Sequence, residues 1–142
     1  MKIMNNNIET LMLIIRTVLK QELDGFPMSC CYESSLIAEK VFKKLGYNIS
    51  TFEGTLCGAE HYWNEIDGQI IDFTSDQFEE PWGIIKDKKN YKNAEKYSIK
   101  EQLEIFEEEN DEELYEELYE TNIFLDSLSR KCIRKINMYK CA

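Results

Sequence analysis

Several features that mark other protein classes are missing or scarce in this sequence of 142 residues. The chain has one histidine, and its five cysteines form no CxxC pair, which argues against a structural zinc site. No apolar run reaches the roughly 18 to 20 residues that a membrane span needs. The start of the chain also lacks the basic leader and the small-residue cleavage site of a secretory signal. We therefore expect a cytoplasmic protein that does not enter a membrane.

Basic residues are scarce relative to acidic ones. The chain has 17 Lys and Arg against 27 Asp and Glu, a net charge of −10. Because binding to a phosphate backbone depends on clustered cations, we expect no direct nucleic-acid binding. An odd cysteine count in a protein that is not exported makes a disulfide framework improbable. Neither a phosphate-cradling glycine loop nor a metal-ligand cluster is present, so no cofactor and no metal are predicted.

What remains is typical of a globular α+β domain. The composition, with 43% hydrophobic and 31% charged residues, is ordinary for such proteins, and the length suits one domain over residues 1–142. Apolar residues three and four positions apart predict helices over Asn7–Leu23, Ser29–Leu45 and Phe124–Tyr139. An acidic helix is predicted over Ile99–Tyr119.

The middle of the chain has the pattern of a small sheet. Residues 47–52 are predicted as a strand, residues 53–60 as a loop and residues 74–97 as an aromatic loop. Asp67-Gly68 lies between two strand-like runs, His61–Ile66 and Gln69–Phe73. An Asp-Gly dipeptide between two strands strongly indicates a hairpin. The turn requires positive φ at both central residues, which Asp and Gly tolerate.

The hairpin places four polar or aromatic side chains on one sheet face. With a two-residue turn, Trp63 faces Asp72 and His61 faces Thr74, and residues two apart on one strand share a face. His61 and Asp72 then become diagonal neighbours, close enough for the carboxylate to orient the imidazole. A slip of one residue would separate them. The alternatives are a half-buried core histidine and an aspartate that caps the turn.

A pair of cysteines stands where the second predicted helix begins. Cys30-Cys31 follows the helix-breaking run Gly25-Phe26-Pro27. A cysteine is a nucleophile only as its thiolate, which a helix N-terminus or a neighbouring imidazolium stabilises. Together with His61 and Asp72, either cysteine completes a set of nucleophile, base and orienting acid. The alternative is that both cysteines are small buried hydrophobes.

These residues carry a resemblance to a known family. The run Phe26–Ser35 resembles the nucleophile helix of small bacterial and phage proteins in the transglutaminase-like branch of the papain-like cysteine protease superfamily. The run His61–Phe78 is similar to their histidine and aspartate strands. The resemblance covers about residues 25–78. It implies a cysteine-bearing helix packed on a small antiparallel sheet, with extra C-terminal helices, and it favours Cys31 over Cys30 as the nucleophile.

The implied activity is acyl transfer on a peptide or amide. Cys31 would attack the carbonyl, His61 would move the proton and Asp72 would orient His61, giving a thioester that passes to water or to an amine. Gln77, or less plausibly Gln21, would add a donor for the oxyanion beside the backbone N–H groups. Apart from the resemblance, Trp63 is a candidate for lining a substrate groove. The alternatives are solvated glutamines and a tryptophan that belongs to the core. Ser29 stands where a glycine is common in the family.

The competing function is a non-catalytic one. Eleven acidic residues and no basic residue lie in Glu101–Glu120. Such a surface can dock a basic protein partner or mimic the charge of a nucleic acid. The two functions differ in whether Cys31 or the acidic stretch is needed.

Overall fold

The protein has an α+β fold, which confirms the predicted class. The structure, a computed structural model, describes residues 2–87, 96–103 and 119–141. These residues form three α-helices, a short 3-10 helix (Ser75–Phe78) and a five-stranded antiparallel sheet. The helices are α1 (Lys2–Glu22), α2 (Cys31–Lys44) and α3 (Tyr119–Cys141), and the strands are β1 (Ile49–Leu56), β2 (Ala59–Ile66), β3 (Gln69–Asp72), β4 (Gly83–Asp87) and β5 (Tyr97–Leu103). The strand order is β4-β3-β2-β1-β5.

The helices share one hydrophobic core with the sheet. Helix α2 packs against β1, β2 and α3, and α1 packs against α3. Each helix contributes the apolar stripe that its spacing predicts, and these side chains are removed from water. Fully buried members from the three helices and β2 include Ile15, Leu19, Val41, Phe42, Cys132, Ile136 and Ile66. The helix that begins at Cys31 is thereby held directly on the strand that carries His61.

The hairpin between β2 and β3 forms in the predicted register. Ile66 pairs with Gln69 and Asn64 pairs with Ile71 across a two-residue turn. Asp67 and Gly68 have φ of 49° and 78°, the positive values that this turn requires. The prediction that fixed the faces of β2 and β3 is therefore confirmed.

The predicted loop over residues 53–60 is wrong. Strand β1 continues to Leu56, and β2 begins at Ala59. Cys57 and Gly58 form a second two-residue turn with φ of 53° and 84°. Cysteine rarely takes positive φ, so the sequence signal of this turn was Gly58 alone.

Two further strands were not predicted. β4 lies inside the predicted loop over residues 74–97, where it pairs with β3. β5 occupies residues 97–103, so the predicted helix is wrong over Ile99–Leu103. There the chain pairs with β1, and the hydrogen bonds of the ladder outweigh a local charge pattern that suits a helix. Both are edge strands of the five.

The structure describes only the two ends of the acidic stretch Glu101–Glu120. Of Glu101–Glu120, residues 101–103 end β5 and residues 119–120 begin α3, while residues 104–118 lie outside the described residues. In the described part of the chain, no helix is long and apolar enough to span a membrane.

Candidate active site

The two neighbouring cysteines have different surroundings at the start of α2. Cys30 precedes the helix and is buried, and its thiol donates a hydrogen bond to the Met28 carbonyl at 3.2 Å. Burial and then the nearby Glu33 carboxylate raise the pKa of the Cys30 thiol. Cys31 is the first residue of α2 and is half-buried. Cys30 is thus placed as a protonated structural thiol, and Cys31 is the one that solvent reaches.

Cys30, the residue before α2, does not cap the helix with its side chain. The first N–H groups of a helix have no partner within the helix, and their dipoles favour negative charge. A thiolate at Cys31, or an oxyanion beside it, is therefore stabilised by the backbone.

His61 and Asp72 form a buried pair on the sheet. His61 Nε2 lies 2.7 Å from Asp72 Oδ2, and both side chains are at most 1% exposed. His61 also stacks on Trp63 with ring centroids 6.1 Å apart, as two residues on one strand face should. The geometric deduction from the hairpin is confirmed for these three side chains.

Asp72 has two more partners, one of which the sequence did not indicate. Its Oδ1 accepts the N–H of Thr74 at 3.0 Å, and Tyr97 donates its hydroxyl to Oδ2 at 2.7 Å. Burial and the Asp72 charge hold the pKa of Tyr97 far above its usual range, so the phenol remains a donor. Three donors thus fix the carboxylate, and they keep it oriented toward His61.

Opposing effects set the charge of His61. Burial alone would lower its pKa, but the hydrogen bond to Asp72 and the adjacent Cys31 thiol raise the pKa to about 9. Because Nε2 faces Asp72, Nδ1 is the nitrogen left for Cys31. Nδ1 is buried and forms no hydrogen bond with the described residues. Asp72 thus binds one nitrogen of the imidazole, and the other nitrogen is free of partners in the described part of the chain.

Gln77, the predicted oxyanion donor, lies beside the start of α2. Its Oε1 accepts the N–H of Ser29 at 3.4 Å, two residues before Cys31. Its Nε2 is buried and has no partner among the described residues. An unpaired buried amide N–H is costly, so a ligand oxygen near this nitrogen would be stabilised.

Arg16 of α1 holds the segment that carries Gln77. Its guanidinium bonds both oxygens of Asp76, at 3.2 and 2.5 Å, and the carbonyl of Phe73 at 2.6 Å. The group also lies 4.3 Å from the ring centre of Trp82. A bidentate, stacked arginine is rigid. Sequence reasoning missed this role because Arg16 is more than fifty residues distant along the chain.

The predicted substrate contact at Trp63 does not fit its position. Trp63 is 1% exposed and packs between Phe52 and Tyr97, with centroids 6.4 and 5.0 Å away. A side chain so enclosed packs against His61 and presents no surface to a substrate. The reason is the strand alternation itself, which puts Trp63 in the small cluster with Ile70 on that face.

Two tyrosines next to the candidate residues are more accessible. Tyr32 follows Cys31 and is 40% exposed, and its ring meets that of Tyr62 edge-on at 5.1 Å. Tyr62 donates its hydroxyl to Glu53 at 2.6 Å, which raises the pKa of Tyr62. Both tyrosines lie near Cys31, because Tyr32 is its neighbour in the chain and the Cys31 charge raises the pKa of Tyr62.

A metal would find few ligands here. Within residues 2–87, 96–103 and 119–141, no three His, Cys, Asp or Glu side chains cluster in a way that could hold an ion. The candidate site is thus made of a thiol, an imidazole, a carboxylate and hydrogen-bond donors.

The fold and site define an α+β protein with a cysteine at a helix N-terminus next to a buried histidine–aspartate pair. The chain belongs to the YunG protein family, whose model matches residues 28–115. This match includes Cys31, His61, Asp72 and Gln77. No curated protein and no solved structure matches the chain significantly. The resemblance to transglutaminase-like proteins stays a prediction.

Proposed function

We propose that the protein is a cysteine-dependent acyl-transfer enzyme of the papain-like, transglutaminase-like type, acting on a peptide or amide. One observation carries the proposal: His61 and Asp72 form a buried pair at 2.7 Å, and the half-buried Cys31 is near enough to raise the pKa of the imidazole. Nucleophile, base and orienting acid in that order are what covalent catalysis by a thiol needs.

The first half-reaction transfers the acyl group to the enzyme. With the Cys31 proton held on Nδ1 of His61, the thiolate sulfur bonds to the carbonyl carbon. The oxyanion accepts hydrogen bonds from the backbone N–H of Cys31 and from the unpaired Nε2 of Gln77. When the C–N bond breaks, the imidazolium protonates the departing amine, and a thioester remains on Cys31.

The second half-reaction returns the thiol. Water enters where the amine left and gives a proton to Nδ1 of His61, and its oxygen bonds to the thioester carbon. The C–S bond then breaks, the sulfur leaves as the thiolate beside the protonated His61, and the carboxylic acid departs. An amine in place of water would give transfer instead of hydrolysis. Asp72 keeps Nε2 hydrogen-bonded throughout, so the ring cannot rotate away.

Turnover of p-nitrophenyl acetate tests this proposal with variants of the two adjacent cysteines. We expect Cys31→Ser to reduce p-nitrophenolate release to the rate of the uncatalysed solution, because serine is far less ionised than a cysteine thiol at neutral pH. Cys30→Ser is the matched control, since a serine hydroxyl can donate to the Met28 carbonyl as the thiol does. It should retain most of the wild-type rate.

Either of two results would contradict the proposal. One is a wild-type protein that releases p-nitrophenolate no faster than the buffer. The other is a Cys31→Ser variant that stays folded and is as active as the wild type.

A further inference from the structure

A cavity away from the candidate active site is lined by several positively charged side chains. It lies between α2 and α3 and has a volume of about 390 Å³. Its walls carry Lys40 and Lys44 from α2, and Arg130 and Arg134 from α3. In a chain of net charge −10, four cations converge on one space.

The spacing of these cations brings like charges together. Lys40 and Lys44 are four residues apart on one helix, as are Arg130 and Arg134 on the other. Like charges at that spacing lie on the same helix face and destabilise the helix. The two pairs face each other across the cavity, which adds to the repulsion. An anion in the cavity would remove it.

Only one carboxylate reduces this charge among the described residues. Asp126 lines the cavity and binds Lys40 at 2.9 Å. Within the described ranges, Lys44, Arg130 and Arg134 have no acidic partner within 4 Å. The helix dipole explains a cation at Lys44, in the last turn of α2, but not the two arginines in the middle of α3.

We propose that this cavity binds a small molecule bearing phosphoryl groups. Guanidinium groups match phosphate oxygens in a bidentate way, and an excess of several positive charges suits a multivalent anion. The volume lies within the range of small-molecule sites and exceeds what one phosphate needs. The Ser129 side chain, also on the wall, donates its hydroxyl to the Leu125 carbonyl and leaves lone pairs toward its surroundings.

The cavity is separate from the candidate active site. Cys31 is the first residue of α2 and Lys44 is the last, so the helix places them about 20 Å apart. The anion site therefore does not depend on the acyl-transfer proposal, and each can fail without the other.

Thermal unfolding of the full chain with inorganic pyrophosphate tests the site. At about 10 mM pyrophosphate, compared with NaCl of equal ionic strength, we expect a rise of the melting temperature of about 4 °C, as for millimolar affinity. The double variant Arg130→Gln/Arg134→Gln should lose this rise. The matched control is Lys135→Gln, because Lys135 is the neighbour of Arg134 on α3 but lines a different groove, against α1.

These outcomes distinguish binding in the cavity from a general effect of anions on the melting temperature. A rise in wild type and Lys135→Gln that is absent in the double arginine variant supports the proposal. No rise in wild type overturns it, and so does a rise of equal size in the double variant. If citrate, a carboxylate anion of similar charge, gives the same rise as pyrophosphate, the phosphoryl assignment is wrong.

Discussion

Replacing His61 with alanine is expected to slow the alkylation of Cys31 by iodoacetamide at least about 100-fold near pH 7, the lower range of what a positioned base contributes. In the proposed mechanism, the imidazole next to Cys31 accepts its proton and then stabilises the thiolate as a cation. Asp72 supports that charge from the other side at 2.7 Å. Without the ring, the thiolate loses this stabilisation. Peptide mass mapping after timed quenching gives the rate for each cysteine.

Two other cysteines of the same protein serve as internal references for the alkylation rate of Cys31. Cys57 is exposed in the turn between β1 and β2, and its alkylation rate should not change in His61→Ala. Cys132 is fully buried and should react only when the protein unfolds, so it reports loss of structure. Cys31 reacting equally fast in both proteins, with Cys132 protected, would mean that His61 does not activate it.

Replacing Gly54 with alanine is expected to cost about 3 kcal/mol or more of unfolding free energy, at the upper end of overpacking effects. A Cβ at this position would lie 2.0 Å from the carbonyl oxygen of Ser98 on β5 and 2.7 Å from Cη2 of Trp63. The first contact is with backbone, which cannot move without breaking the β1–β5 ladder. The second pushes Trp63 toward the His61 ring that it supports. Urea unfolding measures the loss.

Gly46→Ala provides the comparison for Gly54→Ala. Gly46 has φ of 93°, but nothing lies within 4 Å of a Cβ built there. Alanine at Gly46 therefore meets backbone strain of about 1–2 kcal/mol and no clash. A Gly54→Ala variant as stable as Gly46→Ala would show that β1 and β5 are not packed as closely as described. If Gly54→Ala still folds, it should also react more slowly at Cys31.

Much of the site was predictable because its geometry is local. The turn at Asp67-Gly68 sets the register of β2 and β3, and the register alone brings His61 and Asp72 to the same face. The helix beginning at Cys31 follows from apolar spacing and from the break before it. Neither inference requires knowledge of what lies across the molecule.

The rest depends on segments that are far apart in the chain. Tyr97 reaches Asp72 only because β5 pairs with β1, and the charged residues of β5 gave no alternating pattern. Arg16 forms a hydrogen bond to Asp76 because the tertiary fold brings α1 to the 3-10 helix that carries Gln77. The substrate contact predicted for Trp63 has a different explanation. The sequence placed Trp63 on the correct face of β2, but only the packed structure shows that other side chains cover this face.

The most direct test is the protonation state of His61, which NMR can follow without ambiguity because it is the only histidine in the chain. The imidazole should remain charged through neutral pH and titrate with a pKa of about 9. Cys31→Ala should lower this pKa by removing one of the two raising contacts. Asp72→Asn should lower it further, below the ordinary 6.5, because burial then dominates. A wild-type His61 that is already neutral at pH 7, or a pKa that neither variant changes, would contradict the coupled cysteine–histidine–aspartate site.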